Sequence, residues 1–410
     1  MKRSSDRILT THVGSLVRPP EVIAAMQAIE SGQPYDAADL QRYLERGVAE
    51  VVRQQAEVGV DVVSDGEFGK AGWTSYATAR LGGLERRPLS PEEAAVAAVR
   101  LGGKMDHDRF GEFFEVWGDL ERSNYMLPKE KGGSVTPSPS ASAVGMAFTG
   151  PITYKGSEAV QRDIANFKAA LAGISVEEAF LPVAAPASIE ASRRNAYYAS
   201  DEEFLFAVGD ALHEEYQAIV DAGLLLQVDD AWLPMRYAQM MPDPDVAEYN
   251  RWAELRIEAT NHALRGIPED RVRYHVCWGS QNVPHMTDAP LSVMLPLIMK
   301  VNAQAYSIES ANPRHEHEWT IWQETKLPDG KIIVPGVISH ATNIVEHPEL
   351  VAQRIMNFAN LVGRENVIAS SDCGFSQNWN LVRVHPTIQW AKLEALAQGA
   401  AIASKRLWGR

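Results

Sequence analysis

The chain has 410 residues, enough for one large domain or two ordinary ones, and its 45% hydrophobic content is that of a globular protein with a sizeable core. A formal net charge of −14 opposes binding to a phosphate backbone or an anionic membrane surface, so neither nucleic acid nor membrane is an expected partner. No run of about 18 apolar residues can span a bilayer, Met1-Lys2-Arg3 carries no apolar signal region, and two cysteines make no disulfide framework, so a cytoplasmic location is expected.

Residues 8–15 form the first predicted strand, stopped by Pro19-Pro20, and helical spacing follows from Glu21 and over 37–58. Residues 60–67 make a second strand ending in Asp65-Gly66-Glu67. From about 70 to 145 the rhythm breaks: Trp73, Tyr76, Phe110, Phe113, Phe114 and Trp117 precede a Pro/Ser-rich tract at 136–142. This helical or irregular excursion is expected to be an insertion or lid that covers or gates a site. The alternation resumes with strands at 146–151, 179–186, 224–230, 272–276, 305–310, 331–340 and 367–372. Helices are expected at 157–172, 201–222, 246–264, 291–302, 313–324, 348–363 and 386–403.

Strands alternating with helices of this length imply a parallel sheet with helical crossovers. Two α/β architectures compete, an open doubly wound sheet and a (β/α)8 TIM barrel. The barrel is favoured because no Gly-x-Gly-x-x-Gly follows a strand, and because nearly every strand ends in a chemically capable residue. Those ends are Ser15, Glu67, Asp229, Cys277, Glu309, His340 and Cys373. In a barrel all such ends converge on one mouth. Nine strand candidates exceed the eight staves, so either one is not a stave or the count is one too many. Residues 1–410 are read as a single catalytic domain.

His275 and Cys277 stand two apart on a strand and so project to the same face. With Glu309 and Cys373 from other strand ends they offer N, S, O and S, a suitable tetrahedral set for Zn²⁺. A lone cysteine at a strand end is more often a small buried hydrophobe, and only the joint arrangement raises zinc above that reading. Such a site suits delivery of a thiolate nucleophile, because zinc removes a thiol proton near neutral pH.

Seven short motifs carry a family likeness in order along the chain: Thr11-His-Val-Gly-Ser15, Asp65-Gly-Glu67, Gln227-Val-Asp-Asp230, His275-Val-Cys277, Ser307-Ile-Glu309, Gly336-Val-Ile-Ser-His340 and Ser371-Asp-Cys-Gly374. With them the chain resembles the catalytic half of cobalamin-independent methionine synthase, within the superfamily that includes uroporphyrinogen decarboxylase. The resemblance implies a (β/α)8 barrel, a catalytic zinc held by His275, Cys277, Glu309 and Cys373, and methyl or other alkyl transfer to a thiol. It places Val13, Gly14, Ser15, Glu67 and Asp229 around a homocysteine-like acceptor and makes His340 the proton donor. The residue types agree: Gly14 permits close backbone approach, and two carboxylates can hold an ammonium group. His12 is read as structural.

The departures concern the donor. The family's Arg-Cys-x-x-Lys-Pro-Pro stretch is missing, its tryptophan against the folate falls on Ser157 or Ser192, and the acid six residues after Asp229 is Met235. Methyltetrahydrofolate is therefore an open choice of donor, with Trp232 and the aromatic excursion as candidates to serve another. His315 and His317, in Asn312-Pro-Arg-His-Glu-His, read as the start of a helix rather than a second metal site. The expected activity is homocysteine S-methyltransferase-like, giving methionine. The alternatives are alkyl transfer to a coenzyme M-like thiol, and a zinc-dependent thiol-binding protein without turnover. The oligomeric state is left open.

Overall fold

The computed structural model describes the chain apart from residues 31, 89, 91–102, 117–143, 192, 241–244, 381 and 410. Eight parallel strands form its centre: β1 (Leu9–Thr10), β2 (Val62–Val63), β5 (Glu178–Ala184), β7 (Leu225–Asp229), β8 (Val272–Val276), β9 (Ala305–Ile308), β10 (Ile332–Ile338) and β11 (Ile368–Ser371). They are hydrogen-bonded in the order β1-β11-β10-β9-β8-β7-β5-β2, and a parallel bridge between Thr11 and Val62 closes the ring. This is the (β/α)8 barrel.

The surplus strand is accounted for. The predicted strand at 146–151 corresponds to β4 (Val144–Phe148), which leaves the barrel. It pairs antiparallel with β3 (Leu84–Pro88) and parallel with β6 (Arg193–Asn195) in a separate three-stranded sheet. β4 buries Ala147 and Phe148, but both of its hydrogen-bonded neighbours, β3 and β6, belong to this side sheet and neither to the ring. The helices at 37–57, 157–171, 201–221, 246–263, 348–362 and 386–408 match expectation closely. The predicted α-helix at 313–324 is instead a 3-10 helix, Glu316–Gln323, entered through a turn in which Asn312 Oδ1 accepts from the Arg314 amide at 3.0 Å.

Side chains on β8 show how the barrel is filled. Tyr274 and Val276 pack with the apolar core, whereas Arg273 points inward and is buried. Its guanidinium donates to Thr11 Oγ1 and to the His12 carbonyl, both at 3.0 Å, and lies 4.0 Å from the Phe180 ring centroid. Burial lowers its pKa to about 9.

Within the 70–145 stretch, short helices at Tyr76–Arg80 and Gly103–Arg109 are described together with β3; Trp117 and the tract at 136–142 lie outside the described residues. Its root is anchored by Arg80, buried between Asp163 (2.5 Å) and Glu215 (2.7 Å). A buried pair of this kind is costly to break from one side, by about 3–5 kcal/mol. Among the described residues no helix is long and apolar enough to cross a membrane.

Candidate metal centre and active-site cavity

Cys277 follows β8 and Cys373 follows β11, and the barrel brings them to one mouth. Both are buried and free, with their sulfurs 3.7 Å apart. That is far beyond a disulfide bond length of about 2.05 Å. Two sulfurs each about 2.3 Å from one tetrahedral zinc would stand about 3.8 Å apart. His275 completes the group: its Nδ1 lies 3.2 Å from Ser307 Oγ, while the buried Nε2 has no partner among the described residues. A ring held through one nitrogen with the other left open is the usual posture of a metal-binding histidine. The ligand atoms of His275, Cys277 and Cys373 all lie within 4.8 Å of one another. The sulfur–sulfur contact and burial push the Cys277 thiol up, whereas that contact, with His275 and His340 nearby, pulls Cys373 down. This donor set fits zinc.

Glu309 falls in an adjoining group instead, with its carboxylate within 4.8 Å of the ligand atoms of His340 and Asp372. Glu309 Oε2 accepts the backbone N–H of Trp278 at 3.1 Å, and Oε1 accepts from the Asn312 amide at 3.0 Å. It is thus tethered one residue past Cys277. His340, at the end of β10, is buried with neither ring nitrogen bonded among the described residues, and burial lowers its pKa. It stands behind the cavity wall, outside the residues that line the cavity.

The cavity is about 220 Å³, and Val13, Ser15, Glu67, Asp229, His275, Cys277 and Cys373 all line it. Trp73 and Thr74, from the start of the 70–145 stretch, line it as well, with Trp232 and Met235. Gly14 sits behind this wall at φ +136°, where a Cβ would come 2.8 Å from Pro182 Cγ and 2.9 Å from Glu67 Oε1. Gly14→Ala is accordingly expected to lower unfolding free energy by about 1–3 kcal/mol, read from urea denaturation.

Glu67 takes φ +59°, a conformation uncommon for a side-chain-bearing residue. The structure enforces it from three directions. Asp65 Oδ1 accepts the Glu67 amide at 2.9 Å, and buried Arg18 donates to the carbonyls of Glu67 (2.9 Å) and Lys70 (2.8 Å). Lys70 in turn donates to the Pro182 carbonyl. Arg18 and Lys70 therefore grip the backbone around Glu67 and leave its carboxylate for the cavity. Burial raises the Glu67 pKa to about 7, while Lys70 and Arg18 pull it back. Asp229, whose Oδ1 accepts from Gln227 at 2.8 Å, is pushed well above the usual carboxylate range by burial and by Glu67. Two buried carboxylates with raised pKa values on one wall form a pocket that a cation would complete.

His12 is structural. Its Nε2 pairs with Gln55 at 2.7 Å, and its Nδ1 accepts the Gly14 amide at 3.1 Å. His315 and His317 do not share a site. His317 is exposed, whereas His315 is buried between Asp288 (3.0 Å) and Glu318 (2.8 Å). Burial opposes the His315 charge, but these acids raise its pKa to about 9. The ring stacks on Trp278 at 4.0 Å, which ties the segment just after Cys277 to the turn after Glu309. Sequence reasoning missed this support and the Arg18 grip, whose only local signal was a charged residue just past a strand end.

Residues 149–389, more than half of the chain, match the catalytic domain of cobalamin-independent synthase. A methionine synthase of Sulfurisphaera tokodaii is 23% identical, with 97% of this chain and 93% of that protein covered. A 2-hydroxypropyl-CoM lyase of Xanthobacter autotrophicus is 22% identical, covering 92% and 89%. The solved structure of a B12-independent methionine synthase from Shewanella sp. W3-18-1 superposes with a TM-score of 0.70 at 18% identity, over 98% of this chain and all of that one. The barrel, the order of its strand-end residues and the match over 149–389 agree: the chain belongs to the family of cobalamin-independent synthase catalytic domains.

Proposed function

We propose that the protein catalyses zinc-dependent transfer of a methyl or other alkyl group to a thiol, with homocysteine as acceptor and methionine as product. The observation that carries this reading is one cavity with two unlike walls. One wall offers two sulfurs 3.7 Å apart and an open His275 nitrogen; the other offers Glu67 and Asp229. His275, Cys277 and Cys373 would hold zinc; Glu309, which the structure sets in the adjoining group, would have to turn a carboxylate oxygen from the Trp278 amide or Asn312 to serve as the fourth ligand. Bound there, the metal supplies the Lewis acidity that makes a thiol a thiolate near neutral pH.

The protein residues do the rest. Glu67 and Asp229 receive the acceptor's ammonium, and the Val13–Ser15 turn receives its carboxylate. This fixes the acceptor sulfur at the metal wall, in line with a donor entering past Trp232. The S–C bond forms as the bond from carbon to the donor's leaving atom breaks. That atom keeps the electron pair and takes a proton, for which His340 is the proposed source. Trp73 and Thr74, at the start of the 70–145 stretch, are proposed as part of the cover over the mouth, since both line the cavity.

The coenzyme M-like alternative is favoured only by the name of one relative. Calorimetry on the zinc-loaded protein discriminates the two. Homocysteine is expected to bind at least about tenfold tighter than mercaptoethanesulfonate, because a charge-assisted bond to an ammonium contributes about 1.5–3 kcal/mol. Tighter binding of the sulfonate would exclude homocysteine as acceptor. Binding without product, whatever the alkyl donor, would leave a thiol-binding protein.

A further inference from the structure

A buried histidine pair, His285 and His315, lies between the segment after Cys277 and the turn after Glu309. His315 faces Asp288 Oδ2 through Nε2 at 3.0 Å and Glu318 Oε2 through Nδ1 at 2.8 Å. His285 faces the same Asp288 oxygen through Nδ1 and the Gln281 carbonyl through Nε2, both at 2.8 Å. All four ring nitrogens meet oxygens that only accept, so both rings carry two protons and are imidazolium ions. Asp288 and Glu318 balance these two charges, and Glu318 Oε1 also accepts the Leu291 amide at 2.7 Å. His285 takes φ +55°, uncommon for a residue with a side chain, and reaches Asp288 from that conformation. A buried polar network whose members are all paired is rigid.

This network presents His315 to two neighbours. The ring stacks on Trp278 at 4.0 Å, and the His315 backbone amide donates to the Asn312 carbonyl at 2.9 Å. Those same two residues hold Glu309, the Trp278 amide at Oε2 and the Asn312 side-chain amide at Oε1. Trp278 is fixed a second time where its indole N–H donates to the Ala289 carbonyl at 2.7 Å. One histidine therefore joins both partners of the carboxylate. Resting on the zinc reading above, we infer that His315 is a positioning residue which, braced by Asp288, His285 and Glu318, holds Glu309 back from the His275, Cys277 and Cys373 group. A catalytic zinc keeps one position for substrate, and with Glu309 held back that position is kept for the acceptor sulfur. Loss of the His315 ring loosens both bonds to Glu309 and lets the carboxylate compete with the thiol for the metal.

The test loads the full chain with Co²⁺, whose visible spectrum reports the ligand set, in wild type, H315Q, E309Q and H315Q/E309Q. Without acceptor, H315Q is expected to show a changed Co²⁺ spectrum, while its Co²⁺ affinity, read by chelator competition, does not fall. Homocysteine is expected to bind H315Q about tenfold more weakly than wild type. In the E309Q background the same His315 change should alter homocysteine affinity by less than about twofold, because the competing carboxylate is gone. D288N leaves the ring in place and takes a charge from its brace, so it should shift the spectrum in the same direction and serves if H315Q does not fold. A histidine that only supports the fold would lower metal affinity, and would do so in both backgrounds. The inference is overturned if the spectrum is that of wild type in both H315Q and D288N, if Co²⁺ affinity falls, or if the homocysteine loss persists with E309Q. A wild type that takes up no Co²⁺ would sink the metal reading itself, an outcome distinct from variants that load the metal and match wild type.

Discussion

Replacing Cys277 or Cys373 by serine is expected to abolish metal content and transfer activity together. The two sulfurs are 3.7 Å apart because β8 and β11 deliver them to one point, and no third cysteine can substitute. A serine hydroxyl is a poor replacement, since it is not deprotonated by zinc as readily as a thiol and prefers harder partners. Changes one shell further out typically cost about 10–100-fold in metal affinity or activity. Loss of a direct ligand should exceed that, leaving less than about 1% of wild-type turnover. Elemental analysis and a methionine assay on the same preparations check it, with circular dichroism to confirm the fold. Full activity in metal-free C373S would sink the zinc reading.

The acidic wall gives the second large effect, which depends on pH. Glu67 titrates at about 7 because it is buried, so its ionised form is scarce below that pH and dominant above it. An ammonium group binds the ionised form. Affinity for methionine, which has no thiol proton to confuse the reading, should therefore rise about tenfold between pH 6 and 8. Stability runs the other way in the free protein. An acid whose pKa is raised by folding holds its proton longer when folded. Stability is then fullest below the unfolded value near 4.5 and is lost as pH rises toward about 7. Glu67→Gln should remove the step near pH 7 from both profiles, leaving what Asp229 contributes, and weaken methionine binding by about 10–100-fold, the worth of one charge-assisted bond. Calorimetry and thermal melts across this pH range decide it. An unchanged pH profile in the glutamine variant would remove Glu67 from the acceptor wall.

Much of the site was legible because a parallel barrel converts a one-dimensional pattern into a ring. Ser15, Glu67, Asp229, Cys277 and Cys373 could be read as neighbours once the strands were placed, and all five line one cavity. Glu309 and His340 were read on the same logic, yet they sit one step behind. Their placement is set by tertiary hydrogen bonds, the Trp278 amide and Asn312, which leave no trace in spacing. The strand expected at 146–151 was found at Val144–Phe148, but which of the nine candidates lay outside the barrel was not legible. A short apolar run looks alike in a stave and in a side sheet until its pairing partner is known.

The ring of strands also has a seam. β1 and β2 are two residues each, and between them runs one backbone bridge, Thr11 to Val62, whereas β7, β8 and β9 are paired over four residues. Side chains supplement that join: Thr11 Oγ1 donates to the Val62 carbonyl at 2.8 Å, and Arg273 holds Thr11 from inside. The loops leaving this seam carry Val13–Ser15 and Asp65–Glu67, so that part of the cavity wall hangs on the least stitched arc of the barrel, whereas Asp229 ends the well-paired β7. His275 lies in β8 and Cys277 follows it, a strand paired over four residues on each side, and Cys373 follows β11, paired over two on each side. Opening at the seam would thereby move Val13–Ser15 and Glu67 before it moved His275 and Cys277.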